Sequence, residues 1–342
     1  MRNEFYLELI NEGVNKLLNF QDIRPNSITE GCFFYHYWKS RKINYINSRW
    51  QEAVLSLSWF YNKYNSEEIW ARILKGIDFW CKLQHKNGSF PEHSRIDRSF
   101  AATAFSSLAI INSIILLNYS KERWLEKLNK SCNYLIKNDE IVLINQEMAA
   151  SLALMKFGNY VNNSFYLKES EKKLNLVLKN QSTKGYYKER NGFELGYSTL
   201  TLGLLGHYYL ATDDERILNS ASKFIDLIAN LDFEKIKNLR HSNWVIIDGF
   251  EIFADKTVNG KEALRKIIDN FNISNLELDR NLCTELPNLC FAYNNCREDI
   301  EHRDLDANIQ KTIYPIYKEN KLLNLLRPFG IHKFRKIKYM LF

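Results

Sequence analysis

Apolar and polar positions alternate along this chain between two kinds of segment. In the first kind, apolar residues keep to one stripe. Trp50, Ala53, Val54, Leu57 and Tyr61 recur at the three-to-four-residue spacing of a helical face, and Ile69, Ile73, Ile77 and Trp80 repeat the pattern in 67–85. Segments 3–19, 121–137, 164–180 and 213–230 are read the same way, the last through Ile217, Ala221, Phe224, Ile225 and Ile228. In the second kind the helix is apolar on every side. Ser99–Ser120 and Leu195–Thr212 carry no Asp, Glu, Lys or Arg, and 145–157 is mostly apolar through Met148, Ala149, Ala150, Leu152, Ala153 and Leu154. Segments 244–254, 260–270, 280–293 and 298–318 extend the series, with no strand expected.

A helix apolar all round belongs either in a membrane or at the centre of a large fold. Thr103, Ser106, Ser107, Asn112 and Ser113 dilute the longest run, and each such run is followed by an amphipathic helix. The expectation is therefore an all-α fold, an α/α toroid of about six helical hairpins, its inner ring covered by the outer one. Residues 1–320 are expected to form this single domain, with 321–342 a basic, aromatic C-terminal tail.

A repeat supports the hairpin unit. Gln84, Gly88, Phe90 and Glu92 are matched by Gln181, Gly185, Tyr187 and Glu189, and each set opens into an apolar run. In a toroid, every connection from an outer helix to the next inner one lies on the same face, so these polar turns surround one mouth. The candidate acid–base residues there are Glu92, Glu189, Glu194 and His241, since glycoside cleavage uses two carboxylates across a cavity. The candidate substrate-binding residues are Trp38, Arg49, Glu52, His93, Asp97, Arg98, Tyr187, Arg190, Tyr197, Arg240, Asn243 and Trp244. Arginines and converging helix N-termini suit an anionic ligand, and flat aromatic faces suit a sugar ring. Helix capping is the competing role for Asp97 and Asn243.

Composition changes this picture little. Hydrophobic residues make up 45% of 342, enough for a sizeable core, and five prolines with thirteen glycines favour long helices. The net charge is +7. Lys321, Arg327, Lys333, Arg335, Lys336 and Lys338 supply nearly all of it, so no nucleic-acid-binding face is expected on the body. Alternation of those cations with Phe334, Ile337, Tyr339 and Phe342 leaves two readings, the favoured one a tail whose aromatics dock on the toroid, the other weak peripheral contact with an anionic membrane. No export signal is read at the start, so a cytoplasmic protein is expected, working at the inner face of the membrane where that contact forms. The six cysteines include no CxxC pair, and the spacing of Cys283, Cys290, Cys296 and His302 fits no ordinary zinc module, so no metal or cofactor is expected.

The stretch LQHKNGSFPE followed by SFAATAF resembles the repeat of the terpenoid cyclase and protein prenyltransferase superfamily, in which a Gln, a Gly and an aromatic occupy the turn entering an inner helix. RWQEAVLSLSWFY and GFELGYSTLTLGLLGHYYLATDDERI are similar to a bacterial branch of that toroid that accompanies surface-polysaccharide biosynthesis. The resemblance implies the toroid. It also implies an enzyme acting on an anionic saccharide or lipid-linked glycan, as hydrolase, lyase or epimerase. A terpenoid cyclase or prenyltransferase, and a non-catalytic glycan-binding or assembly protein, are the alternatives. Neither cyclase motif is intact: Asp304-Leu-Asp306-Ala lacks the last acid of DxDD, and Asp213-Asp214-Glu215-Arg216-Ile217 fails DDxxD.

Overall fold

A computed structural model describes residues 2–33, 47–190, 192–233, 244–271 and 282–297. All belong to one compact unit, Met1–Glu301. The expected helix at 298–318 and the basic tail lie outside the described residues. Among the described residues there are twelve α-helices in order: α1 Arg2–Phe20, α2 Ala53–Tyr64, α3 Glu67–Leu83, α4 Phe100–Leu117, α5 Glu122–Ile136, α6 Ile144–Tyr160, α7 Ser164–Lys179, α8 Leu195–Thr212, α9 Glu215–Ala229, α10 Asp248–Phe253, α11 Gly260–Asn270 and α12 Leu282–Asn295.

Even-numbered helices form the inner ring. Each packs on the next, α2 on α4, α4 on α6, and so on to α12, which returns to α2 and closes it. Odd-numbered helices lie outside, each against its hairpin partner. The two kinds of sequence pattern account for the two layers. In α5 the buried positions are Trp124, Leu128, Ser131, Cys132 and Leu135, a single stripe, because only one face meets the inner ring. In α4 every residue from Ala101 to Ile114 is buried except Asn112, because helices cover it on three sides. This helix is long and apolar enough to cross a membrane, yet most of it is buried in the inner ring.

The repeated turn has a physical cause. Gly88 holds φ +93°, and a Cβ there would stand 2.1 Å from the Lys130 carbonyl oxygen of α5, so only glycine fits. Gln84 then donates from Nε2 to the Gly88 and Lys127 carbonyls and to Ser131 Oγ. Gln181 does the same with the Gly185 and Ser220 carbonyls, and Gly185 sits against Lys223. A third copy is present: Gln21 donates to the carbonyls of Gly31 and Arg72, and Gly31 lies against Lys75. The aromatic two residues beyond each glycine, Phe33, Phe90 or Tyr187, is fully buried. Each staple thus ties one mouth turn to the outer helix of the following hairpin.

Two expectations change. Lys188–Glu189 and Gly192–Phe193 pair as a short antiparallel hairpin, β1 and β2, where no strand was expected. The helix expected over 244–254 is confined to α10, because Ile246 N donates to Thr199 Oγ1 and Trp244 packs over Gly196. Residues 244–247 therefore run alongside α8, and α10 begins part-way down it.

Buried ion pairs join the layers. Arg2 of α1 makes a two-pronged pair with Glu251 of α10, at 3.1 and 3.2 Å, and Tyr6 Oη donates to the same carboxylate at 2.8 Å. Lys173 of α7 reaches Glu147 of α6 and Asp139, each at 2.9 Å.

Candidate functional site

The mouth is built where the inner helices begin. Ser48–Glu52 forms a 3-10 turn leading into α2, capped by Asn47 accepting from Arg49 N. This turn aims Arg49 inward. Its Nε donates to Glu52 Oε1 at 2.6 Å, and its guanidinium lies 4.1 Å from the centre of the Phe105 ring of α4. Burial works against the Arg49 charge, but Glu52 first, with Glu92 and Tyr197, holds the guanidinium above its ordinary range. Tyr197 belongs to α8, which does not neighbour α2 in the ring, so this electrostatic contact spans the opening. Burial raises the Glu52 carboxyl, with Arg49 opposing and Glu92 adding to the rise.

Glu92 accepts from Ser99 Oγ, the residue whose oxygen also caps α4 at Ala102 N. Its carboxylate lies 3.8 Å from the exposed His93 ring. Tyr197 is half-buried and meets Trp244 edge-on, with ring centres 5.4 Å apart. Glu194 precedes α8, and its Oε2 is buried without a hydrogen-bond partner. The structure thus brings Arg49, Glu52, Glu92, His93, Tyr197, Trp244 and Glu194 to the inner-helix starts around one opening.

Other expected residues have different places. Glu189 is fully buried, and both its oxygens accept from Asn145, through the backbone N and the side-chain Nδ2, each at 3.0 Å. Burial, with Glu194 adding, pushes its carboxyl up to about 7 despite those bonds. It fastens the β-hairpin to the start of α6 and has no exposed face for substrate. Tyr187 is also fully buried, against Phe224 and bonded to Ser220 Oγ, so it is core and not a sugar platform. Asp97 turns back on its own loop, accepting from the backbone N of Glu92 and His93, and Ser99 takes the capping role instead. Arg98 and Arg190 are exposed, Arg190 in a left-handed turn. Trp38, Arg240, His241 and Asn243 lie outside the described residues.

One pair escaped the sequence reading. His207 Nε2 lies 2.9 Å from Asp248 Oδ2, and Asp248 Oδ1 accepts from Gly249 N. Gly203 makes room for it, since a Cβ there would stand 2.3 Å from Asp248 Oδ1. The available signal was that His207 is the lone imidazole in an otherwise uncharged inner helix. The described residues hold no group of His, Cys, Asp or Glu able to bind a metal ion.

The model of the ulvan lyase N-terminal domain family matches residues 12–231, from α1 through the end of α9. The chain belongs to this family. The matched span contains Arg49, Glu52, Glu92 and Tyr197. Solved structures of similar fold include the GH76A α-1,6-mannanase of Salegentibacter sp., with a TM-score of 0.58 at 11% identity, covering 85% of this chain and 98% of that one. The GH76 α-mannanase of Bacteroides thetaiotaomicron follows at 0.56 and 11%, covering 84% and 96%. A protein of Listeria innocua gives 0.54 at 12%, with the same coverage. These likenesses are of fold, and they make the chain an α/α toroid. An inactive variant of the Salegentibacter enzyme was solved with an α-1,6-mannotetrose. No curated protein matches the sequence. The family and the mannanase folds are those of glycan-active proteins; no terpenoid cyclase or prenyltransferase stands among them.

Proposed function

We propose that this ulvan lyase family member cleaves an acidic polysaccharide at the mouth of the toroid by β-elimination. The observation that carries the reading is Arg49, a guanidinium seated on Phe105, paired with Glu52, and within electrostatic reach of Glu92 and of Tyr197 across the opening. Elimination next to a uronate carboxylate needs that carboxylate neutralised, the proton on the adjacent carbon removed, and the leaving oxygen protonated. Arg49 supplies the first. In this reading Glu92 takes the proton, and the Tyr197 hydroxyl gives one to the leaving oxygen. The carbon–oxygen bond breaks as the carbon–carbon double bond forms, so the electrons balance and no water is consumed. Trp244, edge-on to Tyr197, offers a ring face to a neighbouring sugar.

Hydrolysis is the second reading, favoured by Glu194, whose buried unpartnered oxygen gives the mouth another carboxylate beside Glu92. The products separate the two. Incubation with uronate-containing polysaccharides should give a chain end with the ultraviolet absorbance of an unsaturated uronate; new reducing ends without it mean hydrolysis. Neither product from any acidic or neutral polysaccharide would overturn the enzymatic reading. Arg49→Ala should abolish cleavage, with Glu189→Gln retaining it.

The resemblance to a branch accompanying surface-polysaccharide synthesis, together with the basic aromatic end of the sequence, supports action on a lipid-linked glycan at the cytoplasmic face of the membrane. Fractionation of the full chain from its own cells tests this, and recovery outside the cell refutes it.

A further inference from the structure

The connections from outer to inner helices form the rim of the mouth, and hydrogen bonds join neighbours around it. Ser48 N donates to the Pro91 carbonyl, Tyr134 Oη to the Arg98 carbonyl, and Arg190 N to the Val142 carbonyl. These bonds set the turns at 84–99, 137–143 and 180–194 side by side. The turn at 21–33, stapled to α3, lies on the same face.

Two kinds of side chain leave this rim for solvent. The first is aliphatic. Ile28 is 88% exposed, Ile96 87% and Ile141 65%, one from each of three successive turns. The second is cationic. Lys86, Arg95 and Arg98 are exposed on one turn, and Lys184, Lys188 and Arg190 on another. Among the described residues none of these cations is in an ion pair.

The acids of the same turns point the other way. Asp22 accepts from Arg24, Ser27 and Thr29 of its own loop, and Asp97 from the backbone N of Glu92 and His93. Glu140 accepts from Val142 and Leu143 N, while Glu30 and Asp139 pair with the outer-helix lysines Lys75 and Lys173. Negative charge is thus held within the loops and positive charge faces out. The opposite end of the toroid also exposes apolar residues, Tyr64, Leu210 and Val258 among them. There, however, exposed Glu67, Glu122 and Asp213 stand beside them, and Arg216 and Lys261 are paired with Asp214, Glu171 and Asp255. Apolar exposure does not distinguish the two ends; charge does.

Cations hold a protein against anionic headgroups, and aliphatic tips that enter the headgroup region gain burial that a dissolved polymer does not offer. We propose that the mouth face docks on an anionic lipid membrane, through the aliphatic tips Ile28 and Ile96 and the cations Arg95, Arg98, Lys188 and Arg190. The inference rests on the reading of a lipid-linked glycan, and it sets the opening against the membrane-proximal part of that substrate.

The test is flotation of the full chain with vesicles of phosphatidylcholine alone, and of phosphatidylcholine mixed with phosphatidylglycerol. Wild type should float only with the anionic vesicles, and less as salt rises. Arg95→Glu with Arg98→Glu should weaken binding at least about tenfold, and Ile28→Ser with Ile96→Ser about fivefold. Circular dichroism and a melting curve confirm that these variants are folded. An environment-sensitive dye on Ile96→Cys should shift its emission on binding, and the same dye on Val258→Cys, at the opposite end, should not. Labelled wild type corrects for Cys296, the one cysteine that is not buried. Vesicle binding that survives both double variants would belong to another part of the chain, the basic end of the sequence included, and would overturn the proposal. So would an equal shift at Val258→Cys, or absence of binding by the wild type. Charge variants that lose affinity for soluble polygalacturonate while keeping it for vesicles would make the rim a guide for dissolved polymer, and overturn it too. Because no turnover is measured, the two readings fail separately: a protein that docks but never cleaves loses only the enzymatic one, and one that cleaves soluble polymer without binding vesicles loses only the docking.

Discussion

Glu189→Gln should change how stability depends on pH. Burial, with Glu194 adding, raises the Glu189 carboxyl from 4.5 to about 7 in the folded chain. Below about pH 4.5 both folded and unfolded states hold the proton, and the group contributes nothing. Between the two values the unfolded chain has released its proton and the folded one has not, so stability falls as pH rises. Above about pH 7 both are ionised and the cost is constant. A rise of this size corresponds to about 3 kcal/mol. Gln carries no such penalty. Its amide must meet Asn145 Nδ2 with a donor, which Asn145 accommodates by turning its own amide over, an offset that does not vary with pH. Urea unfolding of both proteins from about pH 4 to about pH 8 should therefore show the variant gaining about 3 kcal/mol relative to wild type across that range. A difference that stays flat with pH refutes the argument. Cleavage of polysaccharide should persist in this variant, since the carboxylate has no exposed face.

Arg2→Ala should cost about 3–5 kcal/mol in denaturant unfolding, because it strands the buried Glu251 charge between α1, α10 and α12. Lys173→Met should destabilise by about 3 kcal/mol at neutral pH through Glu147, and acid should recover part of that loss as the buried carboxylate takes up a proton. Gly88→Ala should cost about 1–3 kcal/mol, since both its positive φ and the nearby Lys130 carbonyl forbid a Cβ, and calorimetric melting checks it. Arg49→Lys keeps the charge but loses the planar fork on Glu52 and Phe105, so kcat/KM on an acidic polysaccharide should fall about ten- to a hundredfold while the melting temperature holds.

The fold was legible because two periodicities map onto two environments. Helix α4 reads as apolar on all sides and α5 as a single stripe, and only an inner and an outer ring satisfy both. The mouth was legible in part. Arg49, Glu92 and Tyr197 could be placed from the direction of the hairpins alone. Glu189 and Tyr187 could not, because the repeat fixed their position along the chain but not which way the β-hairpin turns them. That turn depends on pairing of Lys188 and Glu189 with Phe193 and Gly192, a segment too short to leave a period. The third staple was hidden for a similar reason: Gln21 and Gly31 are ten residues apart, whereas Gln84 and Gly88 are four. His207 was passed over because its partner, Asp248, comes from a segment expected to be wholly helical.

That difference in spacing bears on how such a mouth changes over generations. In each staple the glutamine and the glycine grip the same outer-helix backbone, while most bonds of the residues between Gln21 and Gly31 stay within their own loop, the Glu30–Lys75 pair apart. Chain can be inserted or removed there, as between Gln21 and Gly31, at little cost in loop closure. The contacts beneath need not move. Lineages can therefore recut the rim to suit a new polymer while inheriting the barrel intact, and variation in length is expected to gather between the stapling residues.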